Sequence, residues 1–234
     1  MSKRFEALVG AVDRNRVFPL AEAVGVVKKT ATAKFPESVD IAMSLNVDSK
    51  KGDQTVRGTV LLPHGTGRKV RIVVFVKGEK EKEAREAGAD EVGAEELIEK
   101  ISKGWMDFDV AVATPDMMKD VGKLGRVLGP KGLLPNPKSG TVTFDVGKAV
   151  KEFKKGRLEY RADAGGVVHG MVGKVTLTQD QILENATAFI EAVLKAKPQT
   201  VKGEYVKSVS VSSTMGPGLM VDYRAFIKSS GESS

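Results

Sequence analysis

Cysteine is absent from this 234-residue chain, and histidine occurs only at His64 and His169. No disulfide can form, no thiolate can act as a nucleophile, and neither a cysteine-ligated zinc nor a histidine-rich metal site can be assembled. Long apolar runs are missing too. The longest, such as Ile72 to Val76, fall far short of the roughly 20 residues that a bilayer-spanning helix needs. The segment Met1-Ser2-Lys3-Arg4-Phe5 carries none of the apolar core of a signal peptide. The expectation is a cytoplasmic protein with no membrane partner, no metal and no cofactor.

Positive charge is what the chain has in excess. Its 37 Lys and Arg outnumber 30 Asp and Glu, for a formal net charge of +7 and a pI near 9.4. This balance points to a polyanionic partner, because each phosphate neutralised by a cation releases condensed counterions. The cations are dispersed, however. Gly78 to Glu86 alternates Lys and Glu in the manner of a solvated helix face, so no disordered basic arm is indicated.

Length favours two domains or one elaborated domain. Phe5, Leu8, Val9 and Val12 recur at helical spacing, and a second helix opens with Pro19 at its first position and buries Leu20, Val24 and Val27. After Pro36 the period becomes two, with Val39, Ile41, Met43, Leu45 and Val47 on one side of a half-buried strand. A turn through Lys50-Lys51-Gly52-Asp53 leads to a second strand, Val56 to Leu62. Beyond Gly67 the style changes. The continuous apolar run Val70 to Val76 suits a strand covered on both faces. A charged helix to Ala87, a strand at Glu91-Val92, a helix with Leu97, Ile98 and Ile101, a strand Val110 to Ala113 and a helix with Met117, Val121 and Leu124 follow. This βαβαβα order predicts a Rossmann-like α/β/α domain with a parallel sheet over residues 68–158.

From Arg157 alternation returns, in Leu158 to Arg161 and Val167 to Leu177. Thr178 and Gln181 form a capping box before a helix burying Ile182, Ala186, Phe189, Ile190 and Val193. Strands Val206 to Val211 and Leu219 to Phe226 close the ordered part, and the polar tail from Ile227 is expected to be disordered. Neither terminal segment has enough apolar faces to fold alone. The expected fold class is therefore α/β plus α+β: residues 1–67 and 159–234 forming a discontinuous two-layer α+β domain into which the Rossmann-like domain is inserted, with hinge motion between them.

Gly125 to Thr143 fits neither helix nor strand: four glycines, three prolines and three cations share nineteen residues. Proline fixes φ and glycine permits φ > 0, so the composition specifies a shaped loop. Its cations Arg126, Lys131 and Lys138 are either solvated or in contact with nucleic acid. The loop has no G-K-[ST] ending, so it is no P-loop, and Lys77-Gly78-Glu79 stands where a dinucleotide fingerprint would need G-x-G-x-x-G. His64-Gly65-Thr66-Gly67 has no G-x-S-x-G elbow to serve, and Asp107 and Asp109 have no polar cluster around them. A nucleotide-binding α/β enzyme using the middle domain remains the competing reading, although every motif with a catalytic mechanism fails.

Other segments suit RNA. Lys34-Phe35 sets a cation beside an aromatic ring at a helix end, where the ring could stack on a base or pack on ribose. Ser208, Ser210, Ser212, Ser213 and Thr214 crowd hydroxyls along a strand ending in Met215-Gly216-Pro217-Gly218, and His169 lies in a glycine-rich hairpin. Each also has an ordinary reading, as core, strand surface or turn. The phrases Ala33-Lys34-Phe35, Arg57 to Gly65, Gly104-Trp105-Met106-Asp107-Phe108-Asp109, Ala113-Thr114-Pro115-Asp116, the Gly125 loop and Ser213-Thr214-Met215-Gly216-Pro217 resemble, in order, the large-subunit ribosomal protein L-one family of bacteria.

The resemblance implies a two-domain protein, monomeric when free, on the mobile stalk of the large ribosomal subunit. There the discontinuous domain would grip 23S rRNA, and the inserted domain would face exit-site tRNA among the other ribosomal components. It also implies a part in release of deacylated tRNA, and repression of translation of its own operon through an mRNA site that mimics the rRNA. Carried over by position, the rRNA contacts would be Lys34, Phe35, Ser208, Thr214, Met215 and Gly216, with His169 beside them. Arg126, Lys131 and Lys138 would make secondary electrostatic contacts.

Overall fold

The computed structural model describes residues 3–13, 16–48, 52–78, 80–201 and 203–226. The expectations for the tail from Ile227, for Lys50-Lys51 and for Glu79 lie outside the described residues. In chain order the elements begin with α1 (Lys3–Gly10), β1 (Val17–Phe18), α2 (Leu20–Thr30), β2 (Ser38–Leu45) and β3 (Arg57–Leu61). Next come β4 (Ile72–Phe75), α3 (Lys80–Glu86), β5 (Glu91–Gly93), α4 (Glu95–Ser102), β6 (Val110–Ala113), α5 (Met118–Val121), α6 (Gly125–Leu128) and α7 (Val146–Lys155). The chain closes with β7 (Arg157–Arg161), β8 (Val167–Lys174), α8 (Gln179–Lys195), β9 (Val206–Ser213) and β10 (Leu219–Val221). It divides into two compact units, Met1–Arg68 with Leu158–Ser234, and Lys69–Arg157.

The first unit is built on a five-stranded sheet of order β1-β10-β9-β2-β8. Alternation sends Val39, Ile41, Met43 and Leu45 of β2 into the core, and α2 and α8 cover that face, touching β9, β10 and β8. One buried cluster draws on both ends of the chain, joining Val24, Val27 and Ile41 to Phe189, Ile190 and Val211. The α8 capping box forms as its sequence requires. The Thr178 side chain accepts from the Gln181 N–H at 3.2 Å, and Gln181 Oε1 accepts from the Thr178 N–H at 3.0 Å. All five expected core residues of α8 are buried.

Three features differ from expectation. β3 leaves the main sheet and pairs with β7 in a two-stranded sheet that lies against α8. Tyr160 anchors it there, donating its hydroxyl to the Ala192 carbonyl at 3.1 Å and meeting Phe189 edge-on. A small third layer is thereby added to the expected two. The two residues of β1, too short for any periodicity to reveal, pair in parallel with β10. β10 ends at Val221 because Asp222 Oδ1 accepts from the Arg224 N–H at 3.0 Å, a local turn that diverts the chain into helical residues 224–226.

The second unit has a parallel sheet of order β5-β4-β6. Every residue of the central β4 is buried. On one face Val73 and Phe75 pack with Leu97, Ile101, Met117 and Leu128; on the other Ile72 and Val74 pack with Ala84, Val146, Val150 and Phe153. Such double coverage explains the continuous apolar run. The expected helix around Met117 to Leu124 is a broken series of short 3-10 and α turns that continues to Leu128. The first four residues of the glycine-rich run are therefore helical, contrary to expectation. Val121, Leu124 and Leu128 keep helical spacing and are all buried, and that burial outweighs the weak helix propensity of Gly122 and Gly125. Helix α7, not named in the sequence reading, buries Val146, Ala149, Val150 and Phe153 at the same spacing and stops at Gly156, whose φ is 109°.

Candidate nucleic-acid interface

Helix α2 closes with Thr30, whose hydroxyl donates back to the carbonyls of Val26 and Val27. The chain then loops through Ala31 to Pro36 before entering β2. Because β2 pairs with β9, with Val39 opposite Ser213, this loop meets the turn that leaves β9 at Thr214. The Thr214 N–H donates to the Ser38 carbonyl at 3.0 Å, and Thr214 Oγ1 accepts from the Ser38 N–H at 2.9 Å. Thr214 therefore spends its hydroxyl on the backbone of its partner strand and fixes where the turn begins.

A buried carboxylate joins the two loops. Glu37 is 1% exposed; its Oε1 accepts from the Ala33 N–H and its Oε2 from the Met215 N–H, both at 2.9 Å. Arg4 of α1 completes the arrangement, donating through Nη2 to the Met215 carbonyl at 2.8 Å and through Nη1 to Thr32 Oγ1 at 3.1 Å. Burial pushes the Glu37 carboxyl upward, but the two backbone N–H donors, the nearby Ser213 hydroxyl and, last, the Arg4 charge together outweigh it and hold the group below its ordinary value. Sequence reading passed over both residues. The signal for Glu37 was its parity: residues 37, 39, 41, 43 and 45 share the buried side of the strand, and a charge on that side demands partners.

Around this frame Lys34 is exposed, Phe35 is 50% exposed and Met215 is 47% exposed. An aromatic ring and a thioether are thus left in solvent by two loops that share the Glu37 carboxylate, and both are groups that adhere to flat or apolar faces. At Gly216 a Cβ would sit 2.5 Å from the buried Ser213 Oγ, so a larger residue there would have to displace that hydroxyl. Ser208 stands apart from the loops, on the sheet face opposite the helices together with Ser210 and Ser212. There Ser210, Ala42 and His169 are consecutive partners across β9, β2 and β8, with His169 exposed. Ser213 does not join the hydroxyl row as expected: it follows Val209 and Val211 onto the core side and is buried.

Arg126 and Lys131 are exposed in the other unit, and the side chain of Lys138 lies outside the described residues. Their loop is internally built. The Asn136 carbonyl accepts from the N–H groups of Ser139 and Thr141 and from both their hydroxyls, and Gly132 and Gly140 adopt φ of 70° and 66°.

The other polar residues singled out in the sequence have partners within the fold. His64 Nε2 lies 2.6 Å from Glu184 Oε2, and its backbone N–H donates to Asn185 Oδ1. Asp109 accepts from the Arg71 N–H, and Asp107 pairs with the Arg71 guanidinium. Among the described residues no group of three or more His, Asp or Glu is placed to hold a metal ion, and no helix is long and apolar enough to cross a membrane. A sequence model of the Ribosomal protein L1p/L10e family matches residues 27–217. The chain belongs to that family. The match takes in Lys34, Phe35, His169, Ser208 and Thr214 to Gly216, together with the whole of the Lys69–Arg157 unit, whereas Arg4 lies before its start. The family is one of structural proteins of the large ribosomal subunit and not of enzymes, and nothing favours the nucleotide-binding reading.

The Glu37 clamp has a pH signature. A carboxyl held below its unfolded value of about 4.3 contributes stability that is complete above that pH and is lost as pH falls through the folded value. Glu37→Gln puts an amide N–H₂ against one of two N–H donors and should cost about 1–3 kcal/mol at pH 7. Denaturant titrations should show this deficit narrowing as the wild type is taken below pH 4. A deficit that does not change with pH would mean the charge is not what holds the loops.

Proposed function

We propose that this protein is a structural constituent of the large ribosomal subunit that binds 23S rRNA directly at the mobile stalk, next to the exit site. The observation that carries the reading is the pair of clamped loops presenting Phe35 and Met215 to solvent beside Lys34. RNA with splayed bases or an open A-form minor groove offers flat faces for the ring and thioether, phosphates for the lysine, and 2′-hydroxyls for the bare backbone at Gly216. The serine row and His169 extend that surface along the sheet. In this reading residues 1–67 and 159–234 act as a discontinuous rRNA-gripping domain. The inserted residues 68–158 face exit-site tRNA and take part in release of its deacylated form, with Arg126, Lys131 and Lys138 as secondary contacts. The same loops, offered an mRNA element of matching shape, repress translation of the protein's own operon.

Filter binding of the purified protein to a stalk RNA fragment across a salt series tests the core of this reading. The logarithm of affinity should fall linearly with log salt, with a slope of about −0.7 to −0.9 per phosphate neutralised. A nearly flat plot would overturn it, and saturable binding of labelled ATP or NAD would revive the competing enzyme.

A further inference from the structure

The Met215 peptide is gripped at both ends: Glu37 takes its N–H and Arg4 takes its carbonyl. Thr32, the other acceptor for Arg4, belongs to the same loop as Phe35. We propose that Arg4 and Glu37 are positioning residues for RNA recognition, an anion–cation clamp that sets the Phe35 and Met215 loops to their binding geometry without itself contacting RNA, so that helix α1 is a working part of the interface. The proposal deepens the rRNA-binding reading above and rests on it.

Each half of the clamp argues for the other. A carboxylate beside a polyanion is repelled by it, so Glu37 is tolerable at an RNA-binding site only if its charge is compensated and its oxygens are fully used. The two backbone donors use its oxygens, and Arg4 supplies the compensating charge. For its part, the Arg4 guanidinium turns two of its nitrogens inward to protein acceptors, which is the opposite of the outward fork that grips a phosphate. Helix α1 has no fully buried residue, and this fork ties it to both loops. Loops held in one geometry bind with less ordering cost, and loosening them should appear as faster dissociation.

The test is the affinity of Arg4→Ala, Arg4→Lys and Glu37→Gln for the stalk RNA fragment across the same salt series, well below the unfolding temperature. Arg4→Ala should bind about 5- to 30-fold more weakly with an unchanged salt slope, because no phosphate contact is lost. Arg4→Lys should recover only part of the loss, since one ammonium cannot reproduce the fork. Glu37→Gln should also weaken binding although it makes the protein one unit more positive, and its effect should be non-additive with that of Arg4→Ala. A slope reduced by about 0.7 to 0.9 in Arg4→Ala would show a direct phosphate contact and overturn the proposal. Wild-type affinity in Arg4→Ala, or tighter binding by Glu37→Gln, would overturn it equally. If Arg4→Ala fails to fold, Arg4→Gln, which removes the charge and keeps a hydrogen-bonding side chain, carries the same slope criterion. Failure of the rRNA reading itself looks different: the wild type would then show no salt-dependent binding.

Discussion

Phe189→Ala should be the most damaging single truncation in the first unit, costing about 3–5 kcal/mol. The ring is fully buried on α8, meets Tyr160 edge-on with centroids 5.7 Å apart, and on its other side lies against the bare backbone of Gly170 in β8, where a Cβ would overlap ring atoms. Sheet, helix and the small β3-β7 layer therefore converge on one side chain. Truncation leaves a cavity that none of the three can collapse into without moving another. Gly170→Ala attacks the same contact from the opposite side and should cost about 1–3 kcal/mol by overpacking. The pair supplies its own control: Gly170→Ala combined with Phe189→Leu should be less damaging than the sum of the two single changes, because the smaller side chain makes room for the methyl group. Urea titrations of the four proteins, following the transition of the first unit, would check this. Simple additivity would mean that the two sites do not share a contact.

Elements whose signals are local were legible in the chain. Helix α8 announced its start through Thr178 and Gln181 and its buried face through Ile182 to Val193, because capping and helical period are set by residues within four positions of each other. The alternation in β2 and the apolar run of β4 likewise told which strand had one covered face and which had two. Assignment of strands to sheets was not legible, because pairing is a long-range choice. β3 and β7 carry the same pattern as their neighbours yet form a sheet of their own, and β1 exists only because β10 lies beside it. The Gly125 run misled in its first four residues, where buried Leu128 outweighs glycine content.

The candidate site divides in the same way. Residue types at Lys34, Phe35, Met215 and Gly216 were suggestive, but whether a phenylalanine before a proline is core or surface depends on packing that only the fold supplies. The clamp was out of reach, since its bonds to Met215 join residues 178 and 211 positions apart. Glu37 was the one member with a readable clue, a charge on the buried parity of a strand.

Affinity for stalk RNA should therefore rank the two loop systems in a definite order. Thr214→Val/Met215→Ala removes the hydroxyl that pins the turn to Ser38 and the exposed thioether it positions. Loss of a stacking or ribose-packing contact costs about 1–3 kcal/mol, and loosening of the turn adds to it, so binding should fall by roughly 10- to 100-fold with little change in salt slope. Neutralising Arg126, Lys131 and Lys138 together, each to Gln, acts through the other channel. Cations carried on the glycine-rich run of the second unit contribute screened, long-range attraction, so the slope should become shallower while affinity near physiological salt falls less than about tenfold. Slope and affinity thus move in opposite proportion in the two variants. That contrast separates a shape-reading surface from a charged one even if both proteins bind more weakly than wild type. Should the cation variant lose more affinity than the loop variant, the principal rRNA contact would belong to the glycine-rich loop, and the clamped Phe35 and Met215 loops would be secondary.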